Sequence, residues 1–220
     1  HLIDRINGLV QDITRLLVES VSRDAIERGV CERLAATDPY VFAWIGEADI
    51  AEDRLQPRAE AGATAVDLSA AEFEVGADAA TPSARASADG QPRIVSTVDT
   101  GSTVGRVYGD AGVEALISIP LGNGESEYGV LTVCADHPDA FDEREQVVLE
   151  ALGRAIANAV DALESKRTLT ADRIVEMEFT VEDPDLFLNA VASDLDCRFS
   201  FSGSVYSSDG TLREFYTVDG

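Results

Sequence analysis

The clearest structural signal in this chain is the stretch LISIPLGNGESEYGVLTVCAD, which runs from Leu116 to Asp136. Two apolar runs flank a short polar turn that contains Asn123-Gly124. An Asn-Gly pair between two apolar runs is typical of a β-hairpin, because both residues accept the positive φ that tight hairpin turns require. The sequence therefore predicts a β-hairpin of two adjacent strands.

The segments before this hairpin predict helices, then strands, then a weakly patterned middle. YVFAWIGEAD (40–49) is rich in β-branched and aromatic residues and predicts a strand, which RLQPRAEAG (54–62) pairs with across an acidic turn. Residues 63–90 are rich in Ala, Asp, Gly and Ser, with short helices predicted near 70–73 and 83–88. PRIVSTV (92–98) predicts a short strand, and 100–113 a loop or short helix.

A long helix is predicted after the hairpin, running to about Lys166. Asp142 is a natural N-cap, and Glu145 three residues on completes a capping box in Asp form. From Thr170 the pattern changes to a β-α-β-β unit: the strand RIVEMEFTV, a helix that starts at Asp183-Pro184, and two strands joined by Asp209-Gly210. The predicted fold class is α+β.

The charge of the chain restricts its partners. The chain has 41 Asp and Glu residues and 17 Lys and Arg residues, and its formal net charge is −24. This charge argues against direct binding of this segment to DNA or to an anionic membrane. Lys166 is the only lysine. An acidic, lysine-poor surface resembles proteins of salt-loving archaea, where a Debye length of about 3 Å or less screens the repulsion. An ordinary acidic protein from a GC-rich genome is the alternative.

Two helical stripes suggest how copies of the chain associate. Residues of the first helix recur at steps of four and three between Leu2 and Leu17, and the late helix carries a second stripe between Val148 and Leu163. Such stripes either pack on their own domain or form a two-helix seam. We expect a homodimer through these two helices, with the packing alternative left open.

Cysteine usage and hydropathy indicate the compartment. The three cysteines, Cys31, Cys134 and Cys197, lie far apart and form no CxxC motif, which fits a reducing cytosol. No apolar run of 18 residues occurs, and the N-terminus lacks the basic start of a signal peptide. We expect a cytoplasmic protein without a membrane segment. His1 stands where Met is expected, so we interpret the chain as a piece of a longer protein.

The order of elements resembles that of a GAF sensor domain. The residues that carry the resemblance are ALISIPLGNGESEYGVLTVCADHPDAFDEREQVVLEALGRAIANAV (115–160): a strand ending in Pro-Leu, a turn, Gly-Val-Leu, an FDERE entry and an exit helix. The resemblance covers roughly residues 15 to 165. It implies an antiparallel sheet flanked by helices, with small molecules bound between one sheet face and the variable middle segment.

The C-terminal residues resemble a second, more specific family. VEMEFTVEDPDLFLNAVASDLDCRFSFSGSVYSSDGTLREFYTVDG (175–220) is similar to the domain that links the GAF domain to a helix-turn-helix in haloarchaeal bacterio-opsin activator-like regulators. The implied organisation is a signalling or dimer helix at 1–20, a GAF sensor domain at 21–167, and the truncated start of the linking α+β domain at 168–220. The resemblance implies that this chain is the signal-sensing part of a transcription regulator, and that the signal is a small molecule or a redox change. The regulator would bind DNA only through a missing C-terminal domain.

Six residues are the candidate ligand-binding set on this resemblance: Phe42, Trp44, Phe73, Arg106, Tyr108 and Ser118. Trp44 and Phe73 would supply apolar walls, Arg106 would hold an anion, and Tyr108 would donate a hydrogen bond. Strand alternation places Phe42 and Trp44 on one face without saying which, so ordinary core is the alternative for both.

No catalytic residue, metal site or cofactor is predicted. Cys134, Asp136 and His137 sit together as CADH, but the chain has only two histidines and no second ligand pair. Some GAF domains reduce free methionine sulfoxide with low-pKa loop cysteines, whereas these cysteines lie among acidic residues, which raise a thiol pKa. We therefore predict that the chain is not an enzyme. A methionine sulfoxide reductase-type enzyme and a ligandless GAF dimerisation module are the alternatives.

Overall fold

The computed structural model describes residues 2–49, 51–64, 66, 68, 73–76, 78–99, 101–122, 124, 126–170, 198–206 and 212–219. The chain divides into two compact units, His1–Ala171 and Asp172–Gly220. In the first unit the helices are α1 (Leu2–Glu19), α2 (Arg23–Ala35), α3 (Pro82–Asp89), α4 (Thr103–Tyr108) and α5 (Glu143–Thr170). Its strands are β1 (Tyr40–Asp49), β2 (Arg54–Gly62), β3 (Arg93–Val95), β4 (Ala115–Gly122) and β5 (Glu127–Ala135).

The five strands form one antiparallel sheet in the order β2-β1-β5-β4-β3. The hairpin predicted from residues 116–136 is β4 and β5, and β1 adds to β5 with Trp44 opposite Thr132. This arrangement confirms the α+β class and the predicted antiparallel sheet flanked by helices. The hairpin provides two of the three inner strands, which explains why it is so apolar in an acidic chain.

The first face of the sheet is covered by the long helices. α2 packs on β1 and β2, α5 packs on β4 and β5, and α1 lies against α2 and α5. A single apolar cluster fills this layer, and it includes residues from both predicted stripes: Leu9 and Ile13 of α1, and Leu152 and Ile156 of α5. Of the two alternatives for these stripes, packing within the domain is the one that the described contacts show.

Capping fixes where two of these helices begin. Ser22 caps α2 by accepting a hydrogen bond from the Ala25 amide at 3.2 Å. Asp142 Oδ1 accepts from the amides of Arg144 and Glu145, each at 2.9 Å, as predicted for the start of α5. The Glu145 side chain, however, points away from the predicted capping box. This side chain is buried and accepts hydrogen bonds from Tyr40 of β1 and Arg5 of α1. It therefore links α1 and β1 to α5 instead of capping the first turn of α5.

The middle segment covers the second face of the sheet. α3 has the predicted position, with Thr81 as N-cap and Pro82 in its first turn, and it packs against β3, β4 and β5. Residues 100–113 contain α4, which lies within the region predicted to be a loop or short helix. The helix predicted near 70–73 falls mainly outside the described residues, and Phe73 itself is not helical.

The second unit is described as a hairpin of β6 (Arg198–Tyr206) and β7 (Leu212–Asp219). These are the two strands predicted from CRFSFSGSVYS and LREFYTVDG. The predicted strand RIVEMEFTV and the helix from Asp183-Pro184 lie outside the described residues. Among the described helices of the whole chain, none is both long and apolar enough to cross a membrane.

Candidate functional site on the second face of the sheet

The second face of the sheet carries an aromatic cluster between the strands and the middle segment. Residues from β1, β2, β4 and β5 contribute its floor, and α3, α4 and residues 68 and 73 contribute its cover. The cluster contains Phe42, Trp44, Leu55, Leu68, Phe73, Ala84, Val104, Val107, Tyr108, Val113, Leu116 and Cys134. The elements that the resemblance implies for ligand binding therefore meet here.

Four of the six predicted site residues belong to this cluster. Phe42, Trp44, Phe73 and Tyr108 are all buried, and the rings of Trp44 and Phe73 lie 5.0 Å apart at 48°. Trp44 Nε1 donates a hydrogen bond to the Tyr108 hydroxyl at 2.9 Å. Burial raises the pKa of Tyr108 well above its usual value, so its hydroxyl stays protonated and remains a donor.

Close packing at β1 holds the indole ring in place. Gly46 follows Trp44 by two residues and therefore points to the same side of the sheet. A Cβ at Gly46 would lie 2.6 Å from Cζ3 of Trp44, which is closer than carbon atoms approach in proteins. The glycine therefore leaves the space that the Trp44 ring occupies.

The other two predicted residues have different surroundings. Ser118 is fully buried, and alternation with Leu116 places it on the second face, where its Oγ lies 2.9 Å from Thr132 Oγ1. Arg106 is exposed, and its Nη2 donates to Thr103 Oγ1 at 3.0 Å, away from the aromatic cluster. The structure thus brings five of the six predicted residues to one face and leaves Arg106 at the surface.

Strand register adds two residues that the sequence did not single out. Trp44 is opposite Thr132, Thr132 is opposite Ser118, and Ser118 is opposite Arg93 of the edge strand β3. Directly opposite residues of antiparallel strands point to the same face, so Thr132, Ser118 and Arg93 form a row beside Trp44, which we call the polar row. The sequence signal that could have identified these residues is a polar side chain at an alternating position of an otherwise apolar strand.

Arg93 has an unusual environment within the polar row. Its Nη2 pairs with Asp89 at the end of α3, and the side chain is partly exposed. Its Nε is buried and has no hydrogen-bond partner, and no other buried side-chain nitrogen or oxygen among the described residues lacks one. Leaving a buried donor without an acceptor costs about 1–3 kcal/mol of folding free energy. A ligand that supplied an acceptor to this Nε–H would recover that free energy.

The two described cysteines are poor nucleophiles. Burial, followed by the nearby charge of Glu27, raises the pKa of Cys31 to about 12. Burial alone raises the pKa of Cys134 well above its usual value. Both thiols are free and buried, whereas sulfoxide reduction needs an exposed thiolate. Cys197 lies outside the described residues.

We expect the native thiols of Cys31 and Cys134 to be unreactive. In a Cys197→Ser variant at pH 8, we expect no release of thionitrobenzoate from Ellman's reagent over an hour, because thiolate is scarce at these raised pKa values and both sulfurs are shielded. The same variant in denaturant should release two equivalents at once. Rapid release from the native protein would contradict this assignment and favour thiol chemistry.

No group of three or more His, Cys, Asp or Glu side chains that could hold a metal ion occurs in the described part of the chain. His137 contacts Asp136 through Nδ1 at 3.2 Å, and both are exposed. Cys134, by contrast, is buried in the aromatic cluster. The CADH stretch therefore places its cysteine and histidine in different environments.

Comparison with solved structures supports the same fold. The chain is similar to a putative GAF sensor protein from Burkholderia vietnamiensis, at 18% identity and a TM-score of 0.59, over 74% of this chain and 98% of that one. It is similar to free methionine-R-sulfoxide reductase from Neisseria meningitidis, at 17% identity and a TM-score of 0.61, over 73% of this chain and 91% of that one. At such identities the likeness shows the fold alone.

Sequence relatives come from two archaea. The chain is 30% identical over 210 residues to a bacterioopsin transcriptional activator of Halobacterium salinarum, covering 94% of this chain and 30% of the relative. It is 29% identical over 222 residues to a putative transcriptional regulator of Haloferax volcanii, covering 99% of this chain and 36% of that protein. The chain thus spans about a third of the length of these relatives. Its acidic, lysine-poor composition fits a halophilic archaeal origin.

Two family descriptions match, one after the other. Residues 20–161 match the GAF domain, and residues 172–220 match the GAF and HTH_10 associated domain. The first match covers more than half of the chain and contains the whole five-stranded sheet. The chain therefore belongs to the GAF domain family, and its second unit is the associated domain of bacterio-opsin activator-like regulators.

Proposed function

We propose that this chain is the signal-sensing part of a cytoplasmic, non-enzymatic transcription regulator that binds DNA through a helix-turn-helix located after residue 220. The observation that carries the proposal is the match of residues 172–220 to a domain described by its association with GAF and HTH_10 domains. The relatives that share both units are named as a transcriptional activator and a putative transcriptional regulator. The net charge of −24 fits DNA binding by another domain.

The ligand of this sensor binds on the second face of the sheet. The proposed site consists of Phe42, Trp44, Phe73, Tyr108 and Ser118, with Arg106 at its surface. A ligand acts only through different affinities for two arrangements of the protein. Because Trp44 and Tyr108 are buried, ligand entry has to change their packing, and that change is the first step of the response.

The response reaches the helices on the opposite face. Arg5 of α1 pairs with Glu145 of α5 at 3.3 Å, and Glu145 also accepts from Tyr40 of β1 at 3.3 Å. β1 contributes Trp44 to one face of the sheet and Ala43 and Ile45 to the other. A shift of β1 is therefore transmitted to the α1–α5 contact, and α5 is the last element before the second unit in the order of the chain.

The working form of the sensor is a homodimer through the helices at 2–17 and 148–163. Since Leu9 and Ile13 are buried within the domain, the surface available on α1 is its other face, where Val18 is 81% exposed. A shallow apolar groove is lined there by Val10, Gln11, Thr14, Arg15, Val18 and Glu19. Arg15 and Glu19 give this groove both charges, which suits pairing with a second copy. Sedimentation in molar KCl measures this association directly.

The experiment that tests the proposed function uses the natural gene downstream of codon 220. We expect it to encode a three-helix segment with a basic recognition helix, and we expect the full product to shift its own promoter DNA in molar KCl. A full product that binds promoter and scrambled DNA equally at every salt concentration, or that carries a kinase domain instead, would contradict the proposal.

A further inference from the structure

The site on the second face contains hydrogen-bond donors that meet no acceptor among the described residues. Ser118 and Thr132 are both buried and share a single hydrogen bond between their hydroxyls. Each hydroxyl has one hydrogen to donate, so one of the two is left over. Tyr108 accepts from Trp44, and its own hydroxyl hydrogen meets no acceptor among the residues that the structure describes.

Arg93 adds a further donor at the edge of the same row. Its buried Nε–H has no acceptor, and the strand register aligns it with Ser118. Neighbouring strands lie about 4.8 Å apart, so Trp44, Thr132, Ser118 and Arg93 form a line about 14 Å long from the aromatic cluster to the edge of the sheet. The surplus donors are therefore arranged along one line and not scattered.

The charge balance of the site favours an uncharged occupant. The Arg93 guanidinium already pairs with Asp89, so its charge is offset. The buried carboxylates among the described residues are Glu27 and Glu145, and both ion-pair with arginines of α1, α2 or β2, none of which belongs to the aromatic cluster. An anion or cation placed beside Trp44 would lose its hydration and meet no free counter-charge among the described residues of the aromatic cluster.

We infer that the ligand is an uncharged, planar ring compound that carries a carbonyl oxygen. Its ring packs against Trp44 and Phe73, and its oxygen accepts hydrogen bonds from the polar row, where Thr132 is the residue beside Trp44. This inference rests on the function proposed above, because it specifies the chemistry of the same ligand site. A bound carbonyl would satisfy donors that the protein itself leaves without acceptors.

Trp44 provides a direct readout because the chain has one tryptophan. The probes are 1-indanone, indane, which has the same ring system without the oxygen, and benzoate, a planar anion. We expect 1-indanone to change Trp44 emission saturably in the full chain in molar KCl, while indane and benzoate bind at least ten-fold more weakly.

Two variants test the role of the polar row. Thr132→Val keeps the shape of the side chain and removes one hydroxyl, so we expect the affinity for 1-indanone to fall roughly three- to ten-fold. Thr37→Val is the matched control, since Thr37 donates to Arg33 at the end of α2, outside the aromatic cluster. We expect it to bind 1-indanone like the parent chain, and circular dichroism before each titration checks that both variants are folded.

Each contrary result has a distinct meaning. Equal binding of indane and 1-indanone, or an unchanged affinity in Thr132→Val, would overturn the role of the carbonyl while leaving a ligand site in place. Tighter binding of benzoate would overturn the uncharged class. If none of the three probes alters Trp44 emission, the inference fails, and with it the proposal that the aromatic cluster is the ligand site of the sensor.

Discussion

Replacing Gly129 with alanine is expected to lower the free energy of unfolding of the first unit by about 3 kcal/mol or more. Gly129 lies in β5 with a φ of +128°, which side-chain-bearing residues rarely adopt. A Cβ there would also lie 2.3 Å from the carbonyl oxygen of Gly46 in β1, so the backbones of two central strands would have to separate. The conformational and steric effects act in the same direction.

Gly124 is the matched control for this substitution. It also has a positive φ, +89°, but a Cβ at that position would meet no atom within 4 Å. Gly124→Ala therefore carries only the conformational term, which we expect to be about 1 kcal/mol. The difference between the two variants reports the contact between Gly129 and Gly46 together with the larger conformational cost at a φ of +128°.

Urea unfolding followed by Trp44 fluorescence measures both values for the first unit, because the reporter lies in β1. The salt concentration is kept constant, since the charge of −24 makes stability depend on screening. A Gly129→Ala variant that loses no more stability than Gly124→Ala would show that β1 and β5 are less closely paired here than the register indicates.

Local sequence signals were sufficient for most of the sheet. YVFAWIGEAD and RLQPRAEAG predict β1 and β2 with the residues that the structure assigns, because aromatic and β-branched residues and an acidic turn act over short distances. The Asn-Gly turn and the two apolar runs predict β4 and β5 in the same way. The constraint on Gly129 was not predictable, because it depends on which strand lies beside β5.

The candidate site shows the same limit. Alternation within β1 placed Phe42 and Trp44 on one face, and the structure adds that this is the face covered by α3 and α4. Thr132 and Arg93 were missed because their neighbours come from register across three strands. A ligand contact of Arg106 stays a prediction, since its side chain is exposed in the structure.

Glu27 was also missed, because one more carboxylate in so acidic a chain gives no signal. In the structure it is 2% exposed and lies between two arginines. Arg23 Nε donates to it at 2.6 Å and Arg58 Nε at 2.8 Å, and both arginines also pair with Glu47. Burial opposes the charge of Arg23, but these carboxylates outweigh it and raise the Arg23 pKa above its ordinary value.

Replacing Glu27 with glutamine is expected to lower the free energy of unfolding by about 2–3 kcal/mol. The substitution keeps the shape of the side chain but leaves two partly buried guanidinium groups without their central counter-charge. Asp24→Asn is the matched control: Asp24 pairs with the same Arg58 at 3.0 Å, but its side chain is 74% exposed. We expect that control to lose less than about 1 kcal/mol.

Salt distinguishes the two pairs, because screening acts mainly on exposed charges. Trp44-monitored urea unfolding at low and high KCl should show that the loss in Asp24→Asn disappears with added salt, while most of the loss in Glu27→Gln persists. The network of Glu27 and its arginines joins α2, β1 and β2, and the pair of Arg23 with Glu164 extends it to α5. A loss of stability that persists in high salt would mean that this network stabilises the domain at the salt concentrations to which its acidic surface is suited. If both losses vanish together, Glu27 is screened like a surface residue, and the network does not hold these elements together in salt.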